Sequence, residues 1–566
     1  MTAPNPSTAQ AETLIDELAR GGIRRAVISP GSRSTALAVA AESHSDIEVA
    51  VSIDERCAGF FALGTSRVTR RPALVISTSG TAAANHFPAV VEADAAEVPL
   101  IVVTADRPPE LRGVGANQTI DQLMLFGGKV RWFVEVGVAE DRPDANAYWR
   151  SVASRAVAEA LGLRGSPGPV HVNVAFREPT VPSTDDGRST AIPFSNAVDG
   201  RPGSAPWTSA AWSGPRIEAV LGALPVSGKG VVVAGEAVVT PTRLVAAAGE
   251  LGWPVLATAQ SGARLAGSIS TYHHLFELPG FLDRLAPDFV IRAGRTGPSP
   301  RLDRLFALGV PQIVVDPTGR WLDSTRNADH LIPADPTDLL EALVERVEPA
   351  SEGWLEGWIE VDGVVRAALD RALDADPTLT EPRVARDLAA VPWVTLAVAS
   401  SGPIRDVDAH LSTGGRVVGN RGASGIDGFV SMALGAASES APLVALCGDL
   451  SMLHDGNGFL IDPLPPAVFV IVNNNGGGLF YELPQAKLGS SFERLFLTPH
   501  GRDFEQLAAF HDVGYARVEE PGQFPKAVLD AQRAGGVQLV EALTDAQVGA
   551  DLRRRLDAVA AIAWSG

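Results

Sequence analysis

The sequence predicts an α/β protein built from three doubly wound parallel-sheet domains. The chain has 566 residues, more than one hydrophobic core usually serves, so several domains are expected. Apolar runs that suit buried strands alternate with small-polar turns and amphipathic helices near the start, in the middle and near the end of the chain. Such alternation is typical of parallel sheets that are covered by helices on both faces.

Changes in composition indicate where the domains begin and end. We predict a first α/β domain at 1–185, a linker at 186–215, a middle α/β domain at 216–350, a helical connector at 351–390 and a last α/β domain at 391–566. The linker is rich in Pro, Ser, Gly and Asp. In sheets of this class, ligands bind beyond the carboxyl ends of the strands, so functional residues are expected in the turns that follow strands.

The predicted strands are apolar runs bounded by turn-forming residues. They lie at 22–29, 47–53, 73–77, 99–104 and 169–174 in the first domain, at 230–234, 254–258, 288–293 and 312–316 in the middle domain, and at 394–399, 416–419, 442–447, 467–472 and 538–542 in the last domain.

Charge and composition exclude several classes of function. The formal net charge is −19, and an acidic protein repels phosphate backbones, so no nucleic-acid partner is expected. No apolar run reaches the ~18 residues that span a bilayer, so we expect no membrane insertion. Cys57 and Cys447 are the two cysteines, and neither has a metal-binding spacing. With no signal-peptide pattern at the start, these features favour a cytoplasmic protein.

Polar residues follow two strands of the last predicted sheet and indicate a cofactor. The runs are Gly448-Asp449-Leu450-Ser451 and Asn473-Asn474-Asn475-Gly476-Gly477. Carboxylate and amide oxygens suit Mg²⁺, with Mn²⁺ as an alternative, and we predict Asp449, Asn474 and Gly476 as metal ligands. The glycines allow backbone N–H groups to approach a diphosphate. The pattern resembles the fingerprint of thiamine-diphosphate enzymes, although Leu450 stands where a glycine is usual.

The second half of the predicted site is an acidic side chain far away in the sequence. Glu55 follows the apolar run at 47–53 and opens a predicted helix. Thiamine chemistry needs a carboxyl group bonded to the aminopyrimidine ring, since that contact favours the tautomer that deprotonates the thiazolium carbon. An acid at a helix start can also simply interact with the helix dipole. Together with the fingerprint, the position favours the catalytic role.

Several turns resemble one family of thiamine enzymes, the synthases that make 2-succinyl-5-enolpyruvyl-6-hydroxy-3-cyclohexene-1-carboxylate in the menaquinone pathway. The matching runs are Pro30-Gly31-Ser32-Arg33-Ser34, Ile53-Asp54-Glu55-Arg56, Thr78-Ser79-Gly80-Thr81-Ala82, Ala105-Asp106-Arg107-Pro108, Gly115-Ala116-Asn117-Gln118-Thr119 and Asn420-Arg421-Gly422-Ala423-Ser424-Gly425-Ile426-Asp427. The resemblance covers both terminal domains and is loose in the middle domain. It implies a pyrimidine-binding domain, a middle domain and a diphosphate-binding domain, in that order.

The resemblance implies thiamine diphosphate as cofactor and 2-oxoglutarate and isochorismate as substrates. 2-Oxoglutarate would lose CO₂, and the remaining carbanion would add to isochorismate. It implies catalytic roles for Glu55, Gln118, Ser32, Arg405 and Arg421. It implies cofactor contacts for Glu55, Ser79, Gly80, Ser401, Ile426, Gly448, Asp449, Leu450, Ser451, Asn474, Gly476 and Leu479. It implies substrate contacts for Ser32, Arg33, Arg107, Asn117, Gln118, Arg301, Ser401, Arg405, Arg421, Phe480 and Leu483.

Arginine suits these substrates because its planar fork pairs with a carboxylate through two hydrogen bonds. By similarity, Arg405 and Arg421 would hold the part derived from 2-oxoglutarate, whereas Arg33 and Arg107 would face isochorismate. A lone arginine is more often a solvated surface charge, but several at strand ends of an acidic protein indicate an anion site.

The sequence departs from the family at one place and leaves alternatives open. The family often has a Lys-Arg pair in the middle domain, and here Pro300 and Arg301 occupy the corresponding positions. A homodimer is the minimal assembly that the resemblance implies, and a homotetramer is also compatible. The alternatives are another 2-oxo-acid thiamine enzyme, of the acetohydroxyacid synthase or decarboxylase type, and a non-catalytic protein that retains the fold.

Overall fold

The computed structural model describes residues 5–140, 142, 144–181, 199–210, 217, 221–222, 224–236, 238–297 and 299–565. Most of the predicted linker at 186–215 therefore lies outside the described residues. The chain forms two compact units. Unit 1 comprises Met1–Trp212, Gly419–Leu443 and Ser451–Ala467, and unit 2 comprises Ser213–Val418, Val444–Leu450 and Val468–Gly566.

The structure contains three sheets, as the sequence predicts. In chain order the strands are β1 (Arg25–Ile28), β2 (Glu48–Ser52), β3 (Ala73–Ser77), β4 (Leu100–Asp106), β5 (Trp132–Glu135), β6 (Pro169–Ala175), β7 (Gly230–Ala234), β8 (Val255–Ala257), β9 (Phe289–Ala293), β10 (Gln312–Val315), β11 (His330–Ile332), β12 (Thr395–Val398), β13 (Arg416–Val418), β14 (Leu443–Gly448), β15 (Ile461–Asp462), β16 (Ala467–Asn473), β17 (Gly514–Val518) and β18 (Val537–Leu543).

Helices connect the strands and cover the sheets. The described α-helices are Pro6–Arg20, Thr35–Glu42, Glu55–Thr69, Thr81–Asn85, Phe87–Ala96, Ala145–Ala160, Pro241–Glu250, Tyr272–Leu275, Phe281–Arg284, Pro300–Phe306, Pro336–Val344, Trp354–Ala375, Glu381–Asp387, Gly402–His410, Phe429–Ala437, Asp449–His454, Ser490–Phe492, Phe504–Phe510, Phe524–Ala534 and Ala546–Ser565. Among the residues that the structure describes, no helix is both long enough and apolar enough to cross a bilayer.

Unit 1 holds a seven-stranded sheet in the order β15-β2-β1-β3-β4-β6-β5. Its described pairs are parallel except for the antiparallel pair of β15 with β2. Every residue of the inner strands β3, β4 and β6 is buried, because helices cover both faces of the sheet. Helices Pro6–Arg20, Thr35–Glu42 and Ala145–Ala160 contribute apolar side chains to the core that includes these strands.

Two glycines bring a late segment of the chain against an early one within unit 1. Helix Phe429–Ala437 packs on helix Glu55–Thr69 so closely that a Cβ atom at Gly64 would lie 2.0 Å from the Met432 oxygen. A Cβ at Gly435 would lie 2.0 Å from the Phe61 oxygen. Only glycine allows this approach of two helix backbones, so part of the predicted last domain is built into unit 1.

Unit 2 holds a five-stranded sheet in the order β11-β10-β9-β7-β8 and a six-stranded sheet in the order β13-β12-β14-β16-β18-β17. When the strands of the six-stranded sheet are renumbered 1 to 6 along the chain, their spatial order is 2-1-3-4-6-5. The seven-stranded sheet has the same order when β15 is left out. The five-stranded order is that of another doubly wound arrangement. The predicted fold class is thus confirmed, and the last sheet repeats the topology of the first.

Four strands were not predicted from the sequence, and all four are edge strands. These strands are β5, β11, β15 and β17. They are short or only half-buried, and β5 has no fully buried residue. Strands with so few buried residues lack the continuous apolar run that identifies an inner strand.

Candidate active site

In unit 1, the turn after β3 and the loop after β4 bring four predicted site residues together. The Ser79 hydroxyl donates to the Gln118 carbonyl at 2.9 Å, and the Gln118 amide donates to the Ser79 carbonyl at 3.1 Å. The Arg107 guanidinium donates to the Ser79 hydroxyl at 2.9 Å and to the Asn117 carbonyl at 3.0 Å. Gly80 has φ 88°, and glycine adopts this left-handed backbone without steric cost.

A buried polar network supports this turn and was not predicted. The Gly80 N–H donates to the Gln122 amide oxygen at 2.9 Å, and the Gln122 amide donates to Asn173 Oδ1 at 2.9 Å. Asn173 in turn donates to an Asp106 oxygen at 2.9 Å, and all three side chains are buried. A satisfied network of this kind fixes the turn rigidly. Its sequence signal is an asparagine within the apolar strand β6.

Arg33 and Arg107 form a cationic edge in unit 1. Arg33 is buried, donates to the Phe176 carbonyl at 3.0 Å and lies 3.1 Å from a Glu178 oxygen. Burial lowers the pKa of Arg107, and the nearby positive charge of Arg33 lowers it further. Two neighbouring guanidinium groups favour an anionic ligand. Ser32, the residue before Arg33, is exposed to solvent.

Glu55 is available for a ligand because its neighbour caps the helix. The Asp54 carboxylate accepts from the backbone N–H groups of Arg56 at 3.0 Å and Cys57 at 3.4 Å. Helix Glu55–Thr69 therefore obtains its N-terminal cap from Asp54. Glu55 is half-buried, and one of its oxygens accepts from the Asn85 amide at 3.5 Å.

The loop that carries Arg421 and Ile426 is anchored to a carboxylate that sequence reasoning did not find. Glu92, which is buried, accepts from the N–H groups of Gly422 at 2.8 Å and Ala423 at 2.6 Å. These bonds join residues about 330 positions apart in the chain, so no local pattern could indicate them. Arg421 and Ile426 are both half-buried at this anchored loop.

In unit 2, Asp449 lies at the carboxyl end of β14. It is 2% exposed, and burial raises the pKa of its carboxyl group. One oxygen accepts from the Leu450 N–H at 2.6 Å, and the other accepts from the Gly476 N–H at 2.8 Å. The His500 ring nitrogen Nε2 lies 3.2 Å from the second oxygen. The parallel pairing of β14 with β16 thus brings both predicted motifs to one place.

The two glycines at these turns have different surroundings, and only Gly448 faces open space. A Cβ at Gly448 would meet no atom within 4 Å. Gly476 has φ 140°, and a Cβ there would lie 2.0 Å from the Leu497 oxygen, so only glycine fits. Ser451 is buried in helix Asp449–His454, which begins at this strand end.

The three consecutive asparagines after β16 have different partners. Asn473 Oδ1 accepts from the Asn475 N–H at 3.0 Å, and Asn475 Oδ1 accepts from the Gly501 N–H at 2.8 Å. The Asn474 amide nitrogen donates to Glu381 at 3.0 Å. Asn474 Oδ1, by contrast, is buried and has no hydrogen-bond partner within the described part of the chain. A buried acceptor without a donor is costly unless a ligand satisfies it.

The donor atoms fit a hard divalent cation that shares its coordination shell with a diphosphate. Asp449 offers a carboxylate and Asn474 offers a free amide oxygen, and Mg²⁺ is usually held by one or two such ligands together with phosphate oxygens. The described residues contain no group of three or more His, Cys, Asp or Glu side chains that could hold a metal ion. A site formed by protein side chains alone is therefore not indicated, whereas a shared site is compatible with this geometry.

Ser401 and Arg405 follow β12 on the same sheet. Ser401 has φ 75° and ψ −127°, a conformation that side-chain-bearing residues rarely adopt and that tends to occur at ligand sites. Arg405 is exposed in helix Gly402–His410 and donates to the Ser401 carbonyl at 2.6 Å. The guanidinium thus remains accessible beside a strained turn.

Two further groups of predicted residues lie in unit 2. Leu479 and Phe480 belong to a 3₁₀-helix, Gly478–Glu482, and the Phe480 ring packs 5.3 Å from the Phe496 ring. Leu483 follows and is 38% exposed. Arg301 pairs with Glu277 and, at 2.8 Å, with Asp557. These partners in the described part of the chain are not predicted site residues, so the substrate contact of Arg301 stays a prediction.

Residues 9–125 match the family described as "Thiamine pyrophosphate enzyme, N-terminal TPP binding domain", and residues 409–542 match the corresponding C-terminal TPP binding domain. Residues 206–393 match the "Middle domain of thiamine pyrophosphate".

Individual relatives match over nearly the whole chain, and three of them carry one name, 2-succinyl-5-enolpyruvyl-6-hydroxy-3-cyclohexene-1-carboxylate synthase. The protein from Thermobifida fusca is 45% identical over 98% of this chain and 99% of its own length. The Saccharopolyspora erythraea protein is 41% identical over 96% of both chains. The Bacillus velezensis protein is 40% identical over 96% of this chain and 95% of its own.

Proposed function

Because the chain belongs to the 2-succinyl-5-enolpyruvyl-6-hydroxy-3-cyclohexene-1-carboxylate synthase family of thiamine pyrophosphate enzymes, we propose how its residues carry out that reaction. 2-Oxoglutarate loses CO₂, and the remaining four-carbon unit is added to isochorismate. Thiamine diphosphate, when bound, supplies the carbon nucleophile and accepts the charge that remains as CO₂ leaves. The protein's part is to bind, orient and move protons.

The main support for this proposal is the pair of oxygen ligands at the ends of β14 and β16. Asp449 is buried there with a raised pKa, and Asn474 Oδ1 is buried without a donor in the described residues. Both groups gain a partner when a Mg²⁺ ion binds with the diphosphate. Mn²⁺, with similar ligand preferences, is the alternative ion. The Gly476 carbonyl would complete the protein ligands, and Gly448, Leu450 and Ser451 would contact the diphosphate.

Glu55 has the role of proton relay in this proposal. Its carboxyl group would hydrogen-bond to the aminopyrimidine ring, and a carboxyl group in that position would supply the proton transfer that activates the cofactor. The half-buried position of Glu55 and the capping of its helix by Asp54 leave this carboxyl group free for that contact. Ser79, Gly80, Ser401, Ile426 and Leu479 would shape the space around the cofactor.

The two substrates each carry two carboxylates, and the arginines supply the opposite charge. Arg405 and Arg421, with Ser32 and Ser401, would hold the part derived from 2-oxoglutarate. Arg33 and Arg107 would hold isochorismate, with Asn117, Gln118 and Arg301. Phe480 and Leu483 would form an apolar wall that excludes water. The neighbouring charges of Arg33 and Arg107 support this division, because they form an anion-binding edge.

The assembly and the location of the protein are further parts of the proposal. Ile53, Val114 and Met124 are large apolar side chains that are 64%, 68% and 55% exposed, and all three lie in unit 1. The family resemblance implies a homodimer or homotetramer, and such an assembly would cover exposed apolar side chains of this kind. The cysteines, Cys57 and Cys447, are both free, which is compatible with the reducing cytoplasm.

The experiment is a product assay with two alternative acids. The protein is incubated with thiamine diphosphate, Mg²⁺, isochorismate and either 2-oxoglutarate or pyruvate, and the products are identified by mass. We expect a product with the summed mass of 2-oxoglutarate and isochorismate less CO₂. Turnover of pyruvate with none of 2-oxoglutarate would favour the acetohydroxyacid synthase or decarboxylase type instead. No turnover of either acid, despite cofactor binding, would favour a non-catalytic protein.

A further inference from the structure

Arg553 lies in the C-terminal helix Ala546–Ser565, where the sequence suggests no functional residue. Its guanidinium forms a two-bond fork with Asp406, with Nε donating at 2.8 Å and Nη2 at 2.6 Å. The remaining nitrogen, Nη1, donates to Glu482 at 2.8 Å. Nη2 also lies 3.9 Å from Glu381. One side chain thus hydrogen-bonds two carboxylates and lies 3.9 Å from a third, and the three come from separate segments of unit 2.

Each of these carboxylates adjoins a residue of the proposed site. Asp406 follows Arg405 in helix Gly402–His410. Glu482 ends the 3₁₀-helix that contains Leu479 and Phe480. Glu381 accepts from the Asn474 amide at 3.0 Å and so turns Asn474 Oδ1 away, leaving it free to bind a cation.

The carboxylates need a cation because they are withdrawn from water. Asp406 is 3% exposed and Glu381 is 6% exposed. A Cβ at Gly549 would lie 1.9 Å from a Glu381 oxygen, so the helix that carries Arg553 approaches Glu381 directly. Without Arg553, two buried acids would lie near each other uncompensated.

We propose that Arg553 is a positioning residue for the cofactor and substrate side of unit 2. Through Glu381 it sets the orientation of Asn474, through Asp406 it fixes the helix that presents Arg405, and through Glu482 it fixes the turn with Leu479 and Phe480. This inference rests on the proposed function, because it assigns Arg553 to the support of groups that act there. Residues behind metal ligands typically contribute as much as roughly 10- to 100-fold in metal affinity or activity.

The test compares two arginines one position apart on the same helix. Arg553→Met removes the three-carboxylate contact, whereas Arg554→Met removes an exposed pair with Asp551 and serves as the control. In full-length protein, Mn²⁺ affinity is measured in the presence of thiamine diphosphate by metal titration, and KM for 2-oxoglutarate is measured separately. For Arg553→Met we expect roughly 10- to 100-fold weaker Mn²⁺ binding and a raised KM. The control should match the wild type.

Two milder variants separate positioning from folding. Arg553→Lys keeps the charge but loses the fork, so Mn²⁺ affinity should fall between those of wild type and Arg553→Met. Glu482→Gln loosens only the 3₁₀-helix, so KM for 2-oxoglutarate should rise while Mn²⁺ affinity stays unchanged. If circular dichroism shows that Arg553→Met does not fold, these two variants provide the test in its place.

The outcomes distinguish the inference from the function on which it rests. If wild type and the control bind Mn²⁺ and turn over substrate, and the Arg553 variants match them in affinity and KM, the inference is wrong and the proposed function stands. If wild type binds neither Mn²⁺ nor thiamine diphosphate, the proposed function is wrong and the inference falls with it.

Discussion

The first and last sheets have the same strand order, but their carboxyl edges carry opposite chemistry. The edge in unit 1 presents guanidinium groups, with Arg33 and Arg107 near each other. The edge in unit 2 presents oxygen ligands, with Asp449 buried and Asn474 Oδ1 without a donor in the described residues. The shared topology provides the same place for a ligand twice, and the side chains in the turns decide which ligand is bound.

The proposed roles place proton transfer and isochorismate binding in unit 1, whereas metal binding, diphosphate binding and the 2-oxoglutarate contact of Arg405 belong to unit 2. A substitution at either edge should therefore impair the step or the ligand proposed for that edge.

The largest effect is expected for Glu55→Gln in unit 1. The amide cannot relay a proton as the carboxyl does, so turnover should fall by roughly 10²- to 10⁴-fold while thiamine diphosphate affinity is retained. Steady-state kinetics and a binding titration measure the two quantities. Glu48→Gln is the control, because Glu48 is on the preceding strand and 76% exposed. Near-normal product formation by Glu55→Gln would remove Glu55 from the mechanism.

Asp449→Asn tests the other edge and should give the reverse pattern. A carboxylate that binds the metal directly should contribute more than the roughly 10- to 100-fold expected of an outer residue, so Mn²⁺ and thiamine diphosphate affinity should both fall beyond that range. Asp530→Asn, at an exposed position of unit 2, is the control. Unchanged metal affinity in Asp449→Asn would contradict the assignment of a metal site to this edge.

Arg405→Ala and Arg107→Ala should separate the two substrates. Loss of one charge-assisted contact costs about 1.5–3 kcal/mol, or roughly 10- to 100-fold in kcat/KM. We expect that loss for 2-oxoglutarate in Arg405→Ala and for isochorismate in Arg107→Ala. Initial rates with each substrate varied at saturation of the other provide the measurement. A variant that loses both substrates equally, or neither, would contradict the division.

The smallest expected effect is on the free energy of unfolding. It involves His86, which is buried in unit 1. Burial lowers its pKa from 6.5 to about 4, so the folded state stays neutral while the unfolded state takes up a proton below pH 6.5. The free energy of unfolding should therefore decrease as the pH falls from 6.5 to 4. The complete contribution of this histidine is about 3 kcal/mol. Above pH 6.5 the group has no effect.

Chemical denaturation at several pH values measures this dependence. His86→Phe should flatten the curve between pH 6.5 and 4, whereas His454→Phe, at an exposed position, should leave the slope unchanged. Equal slopes for His86→Phe and wild type would show that His86 does not titrate as its burial requires.

The sequence was sufficient for the inner strands and for the residues in the turns after them. Inner strands such as β3 and β4 are buried on both faces and therefore read as continuous apolar runs. Edge strands such as β5 and β17 are half-buried and carry no such signal. Asp449, Asn474 and Glu55 could be proposed as site residues because a strand end is a local feature of the chain.

The residues behind the site could not be found in this way. Glu92, Gln122 and Arg553 act through partners that lie far away in the sequence, and nothing in their own neighbourhood marks them. Gly64 and Gly435 likewise depend on a packing of two distant helices. Such roles follow from tertiary contacts, which a single sequence does not record.

The most direct measurement of the central claim is exchange of the thiazolium C2 proton for deuterium in bound thiamine diphosphate. The claim is that Glu55 moves the proton of the bound cofactor and that Asp449 holds its metal ion. We predict fast exchange in wild type, much slower exchange in Glu55→Gln with the cofactor still bound, and weak cofactor binding in Asp449→Asn. Equal exchange rates in wild type and Glu55→Gln, with the cofactor bound to both, would contradict the account.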